Sequence, residues 1–183
     1  MVTEFKITGL KLIDLKVFND ARGFFTERYQ HETFSHLGIP VQFVQDNHSR
    51  SLPGVIRGLH FQHHPGQGKL VSVIRGKIWD VAVDLRQGSP TYGQWQSVEL
   101  SDEKGQVFWI PAGFAHGFCN VGTEPADVIY KVDVPYAPAT EGGIAYNDPD
   151  LKISWPVANP IISDKDKKLS TLQEYSKKPV FFF

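Results

Sequence analysis

The sequence predicts an all-β protein, a sandwich, a barrel or a double-sheet jelly roll, with only a few short helices. Three observations predict it. Aromatic residues make up 13% of the 183 positions, and aromatic and β-branched side chains suit a pleated sheet. The 16 Gly and 12 Pro suit the turns of such a sheet. Stretches alternating between two kinds of side chain are short and bounded by turn residues, which is the pattern of strands. In order, the strand candidates are 5–18, 23–30, 41–50, 55–62, 69–75, 77–86, 95–100, 106–110, 117–121 and 127–134. The clearest is KIWDVAVDLR at 77–86, where Trp79, Val81, Val83 and Leu85 alternate with Ile78, Asp80, Ala82 and Asp84. Both aspartates fall on one face. Helices are expected at 31–38 and, near the C-terminus, at 164–176, where Asp and Ser can cap and no Gly or Pro interrupts.

A chain of 183 residues fits one domain, residues 1–183, since domains commonly run to roughly 100–200 residues. The 19 basic and 20 acidic side chains leave a net charge of -1. Such a chain has no field to attract nucleic acid or an anionic membrane surface. Its single cysteine, Cys119, cannot form an internal disulfide, and MVTEFKITGL lacks the layout of a secretory signal. No stretch approaches the roughly 18 consecutive apolar residues of a membrane span. A cytoplasmic protein is expected.

Residues 111–120 narrow the fold. PAGFAHGFCN reads Pro111-x-Gly113-x2-His116-x3-Asn120 and resembles the second motif of cupins. Gly54-x5-His60 and Lys69-x6-Gly76 resemble the opening and close of their first. The resemblance implies a cupin-type jelly-roll barrel enclosing a small-molecule or metal site. Cupins commonly hold a metal through His-x-His, a Glu and the second-motif His, and here that pattern fails twice. Gln62 stands where the second His belongs, and Lys69 occupies the acidic slot. His63 and His64 precede Pro65-Gly66 and are expected in a turn. A metal held by His60, His116 and a carboxylate from elsewhere is the runner-up.

A histidine and a lysine without a metal suit proton abstraction beside a carbonyl. His60 is the candidate base, and a carboxylate partner would hold its tautomer. Lys69 is the candidate donor to the developing enolate oxygen.

RGFFTERY, FVQDNHS, RGLHFQ, GKLV, DVAVDLR, GQW, IPAGFAHGF, YKV, TEGG and SDKD follow in this order. From about Gly9 to Asp166 the chain resembles the dTDP-4-dehydrorhamnose 3,5-epimerase family. The resemblance implies a cofactor-free homodimer that converts dTDP-4-dehydro-6-deoxy-D-glucose to dTDP-4-dehydro-L-rhamnose. It makes His60 the base, Asp166 its partner, Tyr130 the acid on the opposite face and Lys69 the group facing the C4 oxygen. It places Arg22, Glu27, Gln45, Asp46, Asn47, Arg57, His116, Glu141 and Lys165 around the nucleotide sugar, and Tyr136 against the base. Arg22 and Glu27 would complete the neighbouring subunit's site. Asp164 competes with Asp166, and Tyr130 has the rival role of a core aromatic. A single-centre 3- or 5-epimerase and a non-catalytic sugar-binding cupin stay open. The tail Val180-Phe181-Phe182-Phe183 is expected to be buried against the domain or a partner chain.

Overall fold

The computed structural model describes residues 1–39 and 41–183. Strands β1 (Val2–Glu4), β2 (Lys11–Asp14), β10 (Gln106–Ile110), β7 (Lys69–Arg75), β12 (Ala126–Val132) and β5 (Gln45–Ser51) form a six-stranded sheet in that order. Facing it is a five-stranded sheet ordered β13 (Glu141–Gly143), β6 (Ile56–Gln62), β11 (Phe114–Asn120), β8 (Lys77–Asp84) and β9 (Trp95–Ser101). A hairpin of β3 (Val17–Asp20) and β4 (Gly23–Thr26) stands apart. Helices α1 (His31–His36) and α2 (Leu172–Ser176) are short. The chain is a cupin-like jelly roll.

Alternation sorts the side chains into layers. Val71, Val73, Phe108 and Val128 of one sheet meet Ile78, Ala82, Phe114 and Phe118 of the other. On the outer face of the six-stranded sheet, Leu70, Val107 and Trp109 pack with Phe34 of α1. On the outer face of the five-stranded sheet, Leu59, Phe61, Val81, Val83 and Leu85 lie under Leu172, Tyr175 and Phe181. Strand β8 is therefore buried on both faces, and Asp80 and Asp84 are both at 0% exposure. A buried carboxylate is costly unless hydrogen-bonded. Asp84 accepts from Arg86, Ser89 and Thr91 at 2.7–2.8 Å. Burial pushes its carboxyl up, but these donors prevail and hold it below the usual range.

Two glycines bring β6 and β11 together. A Cβ on Gly58, which has φ +115, would lie 2.6 Å from the Gly117 Cα, and one on Gly117 would lie 2.6 Å from the Arg57 carbonyl oxygen. At this point the register shifts, so that His60 pairs with His116 while Arg57 pairs with Phe118. Such a bulge re-aims the side chains beside it.

Several boundaries differ from expectation. The stretch 5–18 is divided by a turn in which Gly9 takes φ +106, and β2 and β3 lie in different sheets. The strand expected at 41–50 begins at Gln45, and that expected at 117–121 begins at Phe114. The short β13 escaped prediction because EGG lacks strand-forming side chains. The helix expected over 164–176 is two pieces, a 3-10 turn at Asp166–Lys168 and α2. Leu169 is extended, Ser170 bridges to Ile144, and Thr171 starts α2 with a capping box to Glu174. Among the described residues no helix is long and apolar enough to cross a membrane.

The tail divides as well. Phe181 is buried, whereas Phe182 and Phe183 are exposed. The Phe181 ring packs edge-on against Phe61 at 5.5 Å. The Tyr175 hydroxyl donates to the Leu85 carbonyl at 3.0 Å and accepts from the Val180 and Phe181 N–H groups. Phe181→Ala is expected to lower the unfolding free energy by about 3 kcal/mol, measured by urea denaturation. A loss below about 0.5 kcal/mol, the range of ordinary surface changes, would remove the tail from the folded unit.

Candidate active site

Between the sheets opens a cavity of about 660 Å³, within the roughly 300–1,000 Å³ of small-molecule sites. Strand β6 contributes His60. Its Nε2 lies 2.7 Å from Asp166 Oδ1, and the other carboxylate oxygen accepts the Gly58 N–H at 3.2 Å. The Asp166 N–H donates to Ser163 Oγ at 3.1 Å. Asp166 is buried; burial raises its pKa, but His60, the Gly58 N–H and the nearby Ser163 side chain outweigh that and hold it below the usual carboxylate range. Asp164, by contrast, has an 89% exposed side chain and pairs with Lys167 at 3.0 Å. The geometry thus selects Asp166 over Asp164, because the 3-10 turn points only one of them inward.

Opposite His60 in the ladder, His116 places Nε2 2.9 Å from the buried Asp80 carboxylate. Lys69, at 8% exposure, enters from β7 and donates to the His60 carbonyl at 3.3 Å. Burial pushes the Lys69 ammonium down to about 8, against the upward pull of Asp80, Glu141 and Asp133. Burial likewise raises the Asp80 carboxyl, opposed by His116 and Lys69. Tyr130 lines the cavity from β12, in the sheet facing His60. Burial pushes its phenol above the usual value; Arg57 opposes this and Glu141 adds to it.

Around this centre, Arg57 is braced by Ser51 Oγ at 2.9 Å and the Arg50 carbonyl at 3.0 Å. Glu141 Oε2 accepts from the Tyr136 hydroxyl at 2.8 Å and from Lys165 at 2.6 Å. Burial raises the Glu141 carboxyl, but Lys165 and Tyr136 prevail and lower it. Gln45 donates to Asn47 at 2.8 Å on the inner face of β5. All of these residues line the cavity except Ser51 and Arg50.

Three predicted residues do not reach it. Asp46 alternates with Gln45 and Asn47 on β5, so it points away and pairs with Lys131 at 2.8 Å. Arg22 lies in the turn of the β3–β4 hairpin, paired with Asp20, and Glu27 just beyond β4 is exposed. Neither lines this chain's cavity. Conversely, Ser49, Gln67, Ile161, Ile162 and Ser163 line it without having been singled out. Ser49 was discoverable by period-2 extension from Gln45 and Asn47; the loop residues carried no such signal. Gln62 also lines it, and the sequence marked it only as a departure from a metal-binding pattern.

The donor set does not fit a metal. Among the described residues no group of three or more His, Cys, Asp or Glu side chains is arranged to hold one. The two cupin histidines each face an aspartate, with the Lys69 ammonium nearby. His63 and His64 lie in a turn outside the cavity lining. Cys119 is buried, and burial pushes its thiol up to about 12, which leaves it inert at neutral pH.

Comparison with known proteins gives a consistent answer. The family model described as dTDP-4-dehydrorhamnose 3,5-epimerase matches residues 4–174. A dTDP-4-dehydrorhamnose 3,5-epimerase of Pseudomonas aeruginosa is 51% identical over 168 residues, covering 91% of this chain and 92% of that protein. The crystal structure of a dTDP-6-deoxy-D-glucose-3,5-epimerase from Legionella pneumophila in complex with dTDP-4-keto-L-rhamnose has a TM-score of 0.96 and 45% identity, over 100% of this chain and 98% of that one. A dTDP-4-dehydrorhamnose 3-epimerase of Streptomyces niveus is 41% identical over 157 residues, 85% of this chain and 75% of that protein.

The charge cluster can be checked without any substrate. In ¹⁵N-detected NMR the Lys69 ammonium should titrate near pH 8, and Asp80→Asn should lower that midpoint by removing a negative neighbour. An ordinary lysine midpoint of about 10.4 would show that Lys69 is solvated.

Proposed function

The chain belongs to the dTDP-4-dehydrorhamnose 3,5-epimerase family, and on that premise we propose how its residues carry out the reaction. The substrate is dTDP-4-dehydro-6-deoxy-D-glucose and the product dTDP-4-dehydro-L-rhamnose. The 4-keto group acidifies C3–H and C5–H alike. Inversion requires a proton to leave one face of the sugar and another to arrive at the opposite face. One observation carries the assignment: His60 and Tyr130 line a single cavity from opposing sheets.

His60 removes the proton as general base, and the Asp166 carboxylate stabilises the imidazolium that forms. The electron pair left on carbon delocalises onto the C4 oxygen, where the Lys69 ammonium supplies the compensating charge. Tyr130, kept protonated by its raised pKa, delivers a proton to the other face. The C4 carbonyl re-forms, and exchange with water restores both groups. Because the ketone flanks both carbons, the same pair serves each centre once the ring shifts.

Arg57 and Lys165 supply cations for the diphosphate, and Arg57 is suited to paired hydrogen bonds. His116, Gln45, Asn47 and Glu141 supply polar contacts to the nucleotide sugar, and Tyr136, 53% exposed at the cavity wall, offers a face to thymine. The chain acts as one domain in the cytoplasm, where a free Cys119 stays reduced. No step here draws on a cofactor.

A homodimer completes the site. The β3–β4 hairpin exposes Phe18, Phe24 and Phe25, an apolar surface that favours a partner. Docking it on a neighbour would deliver Arg22 and Glu27 to that subunit's cavity.

The decisive measurement is proton NMR in D2O with dTDP-4-dehydro-6-deoxy-D-glucose. Deuterium is expected at C3 and C5 with an L-rhamno product; exchange at one carbon would make this a single-centre epimerase. His60→Ala should abolish wash-in, Tyr130→Phe should impair net inversion more than first exchange, and Lys69→Ala should slow exchange about 100-fold. Retained exchange in His60→Ala would overturn its role as base.

Shared sites predict complementation. Mixing inactive Arg22→Ala and His60→Ala proteins should restore about a quarter of wild-type activity once subunits reassort, because half of the dimers then hold one intact site of two. No recovery in a mixture shown to contain heterodimers would keep Arg22 out of the partner's site.

A further inference from the structure

Gln62 stands two residues beyond His60 on β6 and shares its face. It is 3% exposed, and both ends of its amide are engaged. Nε2 donates to the Pro135 carbonyl at 3.1 Å, and Oε1 accepts the Ala137 N–H at 2.8 Å. The residue between these contacts is Tyr136. Its own N–H donates to Gln45 Oε1 at 3.0 Å. Residues 135–137 belong to no strand or helix, so these three bonds stand in for the missing ladder. They come from both sheets, Gln62 from β6 and Gln45 from β5.

Tyr136 depends on that support. Its side chain is not packed in any of the three hydrophobic clusters, and its side-chain hydrogen bond is to Glu141 at 2.8 Å. The ring is therefore held by its backbone and by that one bond to Glu141. We propose that Gln62 is a positioning residue that sets affinity for the nucleotide by clamping the chain on both sides of Tyr136. The proposal rests on the reading of Tyr136 as a nucleotide contact. The position that would supply a metal-ligating histidine in a metal-holding barrel here supplies a neutral donor–acceptor pair, and a preorganised wall lowers the ordering cost of binding. A neutral amide bonded to backbone leaves the proton transfers to His60 and Tyr130.

The test measures dTDP binding by calorimetry, together with KM and kcat, for Gln62→Met, Gln62→Glu, Tyr136→Ala and the combined variants. Gln62→Met keeps the length of the side chain and loses both bonds. Each bond is worth about a factor of three to ten, so Kd and KM should rise about tenfold while kcat changes less than about threefold. Gln62→Glu keeps the acceptor and loses the donor, and its Kd should rise about threefold. In the Tyr136→Ala background both substitutions should change Kd by less than about twofold. A merely structural glutamine would lower kcat and Tm without this split, or would keep its full effect when Tyr136 is absent; either result overturns the proposal. If Gln62→Met does not fold, the Gln62→Glu pair decides by the same criterion. A normal Kd in Tyr136→Ala alone would overturn the reading of Tyr136 and the proposal with it. A loss there with none in either Gln62 variant would overturn the proposal alone.

Discussion

The Asp166 carboxylate fixes the chemistry to the fold. It joins a segment beyond the last strand to β6, more than a hundred residues earlier, through His60 and the Gly58 N–H. A buried carboxylate needs such partners, so the same contacts that satisfy Asp166 also orient the imidazole. Gly58 is part of the arrangement in a second way. Any side chain there would meet the backbone of Gly117, and the close approach of β6 and β11 is what sets His60 opposite His116. The His60 ring, the Asp166 carboxylate and the bulge form one unit.

Lys69 solves the complementary problem. The oxyanion role proposed for Lys69 needs positive charge, and an ammonium in an apolar enclosure tends to lose its proton. Burial has moved Lys69 far down, yet Asp80, Glu141 and Asp133 keep it from falling further. The cation is thereby left near the boundary between its charged and neutral forms, where it is a stronger proton donor than a solvated lysine. Asp80 is in turn satisfied by His116. The second cupin histidine is thus engaged by Asp80, alongside the contact to the nucleotide sugar proposed for it, and the positions of a metal site are occupied by side chains hydrogen-bonded to protein groups.

Much of this was readable from the residues, for identifiable reasons. Period-2 patterns located most strands, because alternation survives wherever two faces have different neighbours, and β8 placed Asp80 and Asp84 together. The His60–Asp166 contact was not readable from spacing, since Asp164 and Asp166 share a face of any extended chain and only the 3-10 turn separates them. Asp46 shows the limit of resemblance without geometry. It stands between Gln45 and Asn47 in sequence, but adjacent strand residues face opposite ways, and its carboxylate is spent on Lys131. The C-terminal helix was over-extended because propensity favoured 164–176 throughout, whereas the bridge from Ser170 to Ile144 is a tertiary contact that propensity cannot register.

The division of labour along β6 follows from alternation together with the register shift at Gly58, which brings Arg57 to the same cavity as His60 and Gln62. Arg57 is a braced cation at the cavity wall, His60 is the base proposed above, and Gln62 bonds to the segment bearing Tyr136. Between them Leu59 and Phe61 face the other way, into the cluster sealed by Tyr175 and Phe181. The functional face of the strand is thus held in place by the apolar packing of its opposite face. Phe61 lies between His60 and Gln62 in sequence, so the backbone that carries both is anchored by the packing of its ring on Tyr175 and Phe181. The C-terminal segment, beyond residue 174 where the match to the family model ends, thus packs through Phe181 on the strand that carries His60.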